Sequence, residues 1–131
     1  MDSEYNFPLF LTPMKNLLRI LLIAFCPVLV SNAQTDYNSL FQNAKKQDSL
    51  KNYVECINIL NKLIVDQKNS NDSVFTLRAR ANYEAGNLHA AFKDAEAAIK
   101  LNDKNDKAYF ILGLVKSKNE NFPGAIKAYN K

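Results

Sequence analysis

Apolar and polar residues in the second two-thirds of the chain alternate with a helical period, in paired segments. The pattern is densest over residues 73–105, SVFTLRARANYEAGNLHAAFKDAEAAIKLNDKN. The spacing predicts one helix from about Val74 to Ala85 and another from about Leu88 to Leu101. Small residues recur there at Ala79, Ala81, Ala91, Ala95 and Ala98, and larger apolar ones at Phe75, Tyr83, Phe92 and Ile99. Alanine at a helix crossing lets two backbones approach closely, and the larger side chains fill the space beside it. Gly86 suits the turn between the helices, because glycine tolerates the left-handed backbone that ends many helices. The stretch therefore reads as a helical hairpin, and one hairpin cannot bury its apolar faces alone.

The pattern repeats downstream at a spacing of 34. Tyr109 falls on Phe75, Gly113 on Ala79, Val115 on Ala81, Phe122 on Leu88, Ala125 on Ala91 and Tyr129 on Ala95. Upstream, Leu40, Ala44, Tyr53, Cys56, Ile57, Leu60, Leu63 and Ile64 repeat the layout less cleanly at an offset of 35. A period of this length built from paired helices marks an all-α solenoid. The boundaries expected are helix one over Tyr37–Lys46, helix two over about Asn52–Val65, helix five over about Lys107–Lys118, and helix six from Pro123 to the chain end. Asp36 is expected to cap the first helix, and Asp72 or Ser73 the third.

These spacings resemble the tetratricopeptide repeat. Arg78, Ala79, Ala81, Gly86, Ala91, Asp94, Ala98, Ile99 and Leu101 match that family's pattern RAxA…G…A..D…AI.L, over roughly residues 37–131. Asn82 stands where the family usually has tyrosine, Asp103 where it often has proline, and Glu120 where the third turn glycine would fall. The resemblance implies repeats at about 37–71, 72–105 and 106–131, the last incomplete.

The N-terminus has a different character. Residues 14–33, MKNLLRILLIAFCPVLVSNA, carry Lys15 and Arg19, then an apolar core over 20–30, then Ser31 and Ala33. That order is a secretory leader with cleavage expected before Gln34, and the apolar run is short for a membrane span. Asp2 and Glu4 precede it, so Met14 makes a cleaner start than Met1. Residues 1–33 are thus read as extension and leader, and 34–131 as the repeat domain. An exported protein follows, periplasmic or associated with the outer membrane. Phe25 before Cys26 argues against a lipoprotein cleavage site.

Composition narrows the chemistry. The net charge is +4, and residues 34–131 alone hold 15 basic and 11 acidic side chains. That mild excess reads as a solvated surface, not a nucleic-acid stripe. Cys56 occupies a helix-packing position and reads as a buried structural thiol. The single histidine, His89, has no second histidine or cysteine cluster to form a metal site with. Gly86, Gly113 and Gly124 are isolated, so no phosphate loop is present. No carboxylate pair is set up for acid–base work. The expectation is a protein that is not an enzyme, with no cofactor, metal or small-molecule substrate.

What the resemblance implies instead is a recognition groove lined by the first helix of each hairpin. Carried over, the candidates are Phe41, Lys45, Asp48, Thr76, Leu77, Arg80, Tyr83, Glu84, Lys107, Phe110, Ile111 and Leu114. Basic heads and aromatic rings there suit a peptide or helical segment of a protein partner. Only Lys107 fits the pattern by which some family members clamp a chaperone tail. Arg78 reads as a structural ion pair. The expected function is a protein–protein interaction scaffold in the cell envelope. The alternative is a structural N-terminal module of a longer protein whose activity lies downstream. Ile111, Leu114, Val115, Ile126 and Tyr129 are expected to leave an apolar edge at the C-terminal end, covered by further chain, a partner or a second copy.

Overall fold

The computed structural model describes residues 36–65 and 71–131. Among them are six helices and no strand. They are α1 (residues 36–49), α2 (Tyr53–Val65), α3 (Asp72–Glu84), α4 (Leu88–Leu101), α5 (Asp106–Lys118) and α6 (Phe122–Tyr129). The leader expected over residues 14–33 and residues 66–70 lie outside the described residues.

Each turn within a hairpin is closed in the same way. The amide of Asn52 donates to the Gln47 carbonyl at 2.9 Å, that of Asn87 to Asn82 at 2.8 Å, and that of Asn121 to Lys116 at 2.9 Å. One residue earlier, Lys51, Gly86 and Glu120 donate to Asp48, Tyr83 and Ser117, each at 3.0 Å. This pair of bonds satisfies carbonyls that a helix end leaves free, and it requires a left-handed residue at the second position. Gly86 adopts it with φ +82°, but so do Lys51 at +60° and Glu120 at +59°. The bonding pattern imposes the conformation even where glycine is missing.

Asparagines start the helices. Asn71 accepts from the Val74 amide, Asn105 from the Ala108 amide and Asn121 from the Gly124 amide, all at 3.0 Å. This corrects the expected cap of α3: Asn71 holds that place, and Asp72 is already inside the first turn, where a carboxylate favours the positive end of the helix. Asp36 is likewise helical instead of preceding the helix. α1 also runs to residue 49, past Lys46, because Leu50 still donates its amide back to Lys46.

The helices pack in series. α3 lies against α2, α4 and α5; α4 lies against α5, and α5 against α6. Contact between α3 and α5 brings the first helices of successive hairpins side by side, which is how a solenoid generates a continuous concave face. One buried cluster joins Tyr37, Ala44, Cys56, Ile59, Leu60, Leu63, Val74 and Ala81; the next joins Ala79, Ala91, Ala95, Ile111, Leu112, Val115 and Ala128. Ala79, Ala81, Ala91, Ala95 and Ala98 are fully buried, and Gly113 and Ala125 are buried too.

The apolar edge agrees with expectation at Ile126 and Tyr129 and differs from it in α5. Ile111 and Val115 are buried and Leu114 is half-buried, because α5 turns that side into its own hairpin. The residues left outside are Phe110, Phe122, Ile126 and Tyr129, which are 56%, 59%, 60% and 45% exposed.

Candidate functional site

A groove of about 1040 Å³ runs across α1, α3 and α5 and the connector before α5. α1 contributes its later turns, with Phe41, Lys45, Asp48 and Ser49; α3 contributes Asp72, Ser73, Thr76, Leu77 and Arg80; α5 contributes Asp106, Lys107, Phe110 and Ile111. Nine of the residues expected there, Asp48 among them, are therefore brought together. Tyr83, Glu84 and Leu114 do not line it, because each lies one turn beyond the groove's end on its helix. Tyr83 packs instead against the second buried cluster.

The helical periodicity does not predict the polar groups at the connector end. Ser49, Asp72, Ser73, Asn102, Lys104, Asn105 and Asp106 all reach the groove. Their signal in the sequence is the Asn-Asp pair at 71–72, repeated at 105–106. The Asp72 carboxylate accepts from the side-chain amides of Asn102 and Asn105, each at 2.9 Å, and Asn105 also donates to the Thr76 hydroxyl at 2.9 Å. Those bonds fix the connector against α3 and hold the groove wall in place.

Charges in the groove fall into two groups. Arg80 pairs with Asp48, whose side chain is buried while that of Arg80 is half exposed. The second carboxylate oxygen of Asp48 accepts no hydrogen bond among the described residues. Lys45, Lys104 and Lys107 form no ion pair among the described residues, and the Lys45 ammonium lies 4.9 Å from the centre of the Phe41 ring. An ammonium over an aromatic face is attracted by the ring's quadrupole. The groove thus presents aromatic and aliphatic area between positive heads.

Arg78 is committed elsewhere. It donates to both carboxylate oxygens of Asp94, at 2.9 and 2.6 Å, and to the Asn61 side chain at 2.7 Å. Asn82 adds a bond to Asp94 at 3.0 Å. This network ties α3 to α4 and α2, and it explains why Asn82 and Asp94 are buried. Cys56 is fully buried, and burial pushes its thiol up to about 11. His89 is exposed on the far side of the hairpin turn. Among the described residues no group of three His, Cys, Asp or Glu side chains could hold a metal ion. No helix there is long and apolar enough to cross a membrane.

Serially packed helical hairpins with a groove on their first helices define a tetratricopeptide-like fold, the architecture of protein-interaction modules. Comparison with solved structures gives the same class, with 23 matching chains. The tetratricopeptide domain of Sgt2 from Aspergillus fumigatus is 25% identical over 72% of this chain and 62% of that one, with a TM-score of 0.68. MamA is 23% identical over 79% of this chain and 60% of that one, with a TM-score of 0.69. The chain therefore spans under two-thirds of either neighbour. No protein-family model and no curated protein matches it.

Proposed function

We propose that the protein is an exported, non-catalytic scaffold of the cell envelope that holds an extended or helical segment of a partner protein along the α1–α3–α5 groove. The observation that carries this reading is the lining itself. Phe41, Leu77, Phe110 and Ile111 supply apolar area, while Lys45, Lys104 and Lys107 stand ready to meet carboxylates. Export rests on the order of charge, apolar core and small residues in 14–33.

The test uses a photo-crosslinking residue at Leu77, inside the groove, and another at the exposed His89, outside it. Crosslinking in cells should trap a defined partner from Leu77 and not from His89. Equal yields at the two positions would overturn the groove. Amino-terminal sequencing of the cellular protein should begin at Gln34; a chain retaining residues 14–33 in the cytoplasm would overturn the envelope assignment.

A further inference from the structure

The Arg78–Asp94 and Asp48–Arg80 pairs each join two helices, and they are finished differently. Two side-chain amides complete the first. Asn82 donates to an Asp94 oxygen at 3.0 Å, and Asn61 accepts from the Arg78 guanidinium at 2.7 Å. Both Asp94 oxygens also accept from Arg78. The Asp48–Arg80 pair ties α1 to α3 at the groove and has no such amide among the described residues. Arg80 meets one oxygen of Asp48. The other is closed to water and accepts nothing among the described residues, on a side chain only 3% exposed. A buried acceptor left without a donor costs about 1–3 kcal/mol.

The fold itself does not demand this cost. At the next junction Tyr83 and Leu114 hold the places of Asp48 and Arg80, at offsets of 35 and 34. Uncharged side chains are thus accepted at these positions, and exchanging a buried ion pair for apolar groups is often neutral or stabilising. Tyr83 and Leu114 lie outside the groove, whereas Asp48 and Arg80 line it.

The charges around the free oxygen select what completes the pair. Arg80 already balances Asp48, and Lys45 stands one turn back on α1, so a further cation is repelled. A carboxylate is repelled by the free oxygen itself. A neutral donor fits. A carboxamide supplies an N–H for Asp48 and, from the same carbon, a C=O for the half-exposed Arg80 guanidinium, the two roles that Asn82 and Asn61 divide between them at the other pair.

Resting on the groove reading above, we propose that Asp48 and Arg80 set the groove's specificity for a segment bearing an asparagine or glutamine side chain. Its amide donates to Asp48 and accepts from Arg80. Arg80 shifts as the amide enters, since its side chain is half exposed and the free oxygen is covered. Lys45, Lys104 and Lys107 are left for carboxylates elsewhere in the segment.

The test selects random short peptides displayed against the full chain. Enriched peptides should share an asparagine or glutamine at one fixed position. In calorimetry with one such synthetic peptide, leucine at that position should weaken binding about tenfold, and aspartate or glutamate should weaken it further. Asp48→Ala combined with Arg80→Leu removes both halves of the pair. Against that variant, its fold checked by circular dichroism, the change to leucine should cost less than about twofold. The peptide series needs no variant, so it decides the matter alone if the double change unfolds the chain. Enrichment without a shared amide position, or a leucine effect that the double variant leaves intact, would overturn the assignment of Asp48 and Arg80 and spare the groove. No enrichment, or binding unaltered by Phe110→Ala at an exposed groove position, would overturn the groove itself and this assignment with it.

Discussion

In the α3–α4 hairpin, Arg78 and Asp94 face each other as a bidentate ion pair; 34 residues on, Leu112 and Ala128 hold those places as buried apolar side chains. A second exchange accompanies the first. Ala79 and Ala95 are both fully buried in the middle hairpin, whereas the third has Gly113 and Tyr129. A Cβ on Gly113 would lie within 2.7 Å of three Tyr129 ring atoms, so the ring occupies the volume that Ala79 fills with its methyl group. The same backbone arrangement thus accepts two divisions of volume and two kinds of bond. What the geometry demands is a filled crossing with no unpaired charge, not a particular residue.

The sharpest way to break the comparison is Asp94→Ala, which leaves Arg78 and Asn82 without their acceptor. The expected loss is about 3 kcal/mol, read as a lower urea midpoint at unchanged slope. The double change Arg78→Leu with Asp94→Ala imports the third hairpin's solution and should cost about half as much. A double variant as unstable as Asp94→Ala alone would mean that the two hairpins are not interchangeable.

Gly113→Ala sets two effects against each other. Alanine favours a helix over glycine by about 1 kcal/mol, while overpacking costs about 1–3 kcal/mol. Since the clash is with the outer end of a ring, a net loss of about 1 kcal/mol is expected as Tyr129 swings away from Phe110, whose ring centre lies 5.8 Å off. In a Tyr129→Ala background the sign should reverse, because a pair of alanines at the two positions then reproduces Ala79 and Ala95. Thermal unfolding of the four proteins in the cycle checks this.

The turns give a smaller contrast. Lys51→Gly or Glu120→Gly should each stabilise by about 1 kcal/mol, since a left-handed residue with a side chain is strained. Gly86→Ala should cost about as much. Chemical denaturation of each single variant against wild type reads both signs.

Cys56 sharpens the comparison only in alkali. It stands where the other hairpins have Ala91 and Ala125, so Cys56→Ala makes the three alike. The folded thiol holds its proton up to about 11 against an ordinary 9.0. Between those values the unfolded chain loses a proton that the folded chain keeps. The stabilisation is therefore complete below about pH 9 and declines as the pH rises towards 11. The difference in urea midpoint between wild type and Cys56→Ala should be constant from about pH 7 to about 8.5 and move against the wild type above about 9.

Several features are legible in the sequence alone. Helix positions from 53 to 129, the turn at Gly86 and the small residues at the crossings follow from local periodicity, because the 3.6-residue repeat puts a side chain's face in the sequence itself. The ion-pair role of Arg78 is legible too, although its partner Asp94 is not. The groove is only partly readable. A face can be assigned from spacing, but how far it stays open along a helix depends on where the neighbouring helices diverge. That is why the family resemblance puts Tyr83, Glu84 and Leu114 in the groove and packing puts them outside it.

By itself, then, the sequence determined helices, hairpin period and the order in which the hairpins stack, since each depends on residues within a few turns of one another. Tertiary structure alone decided that Ile111 and Val115 turn inward while Phe110 and Phe122 stay outside. It also decided that Tyr129 fills the space over Gly113, and that Lys51 and Glu120 take a glycine's conformation. Those outcomes depend on the rotation of one helix against the next, and no stretch of chain shorter than a hairpin contains that rotation.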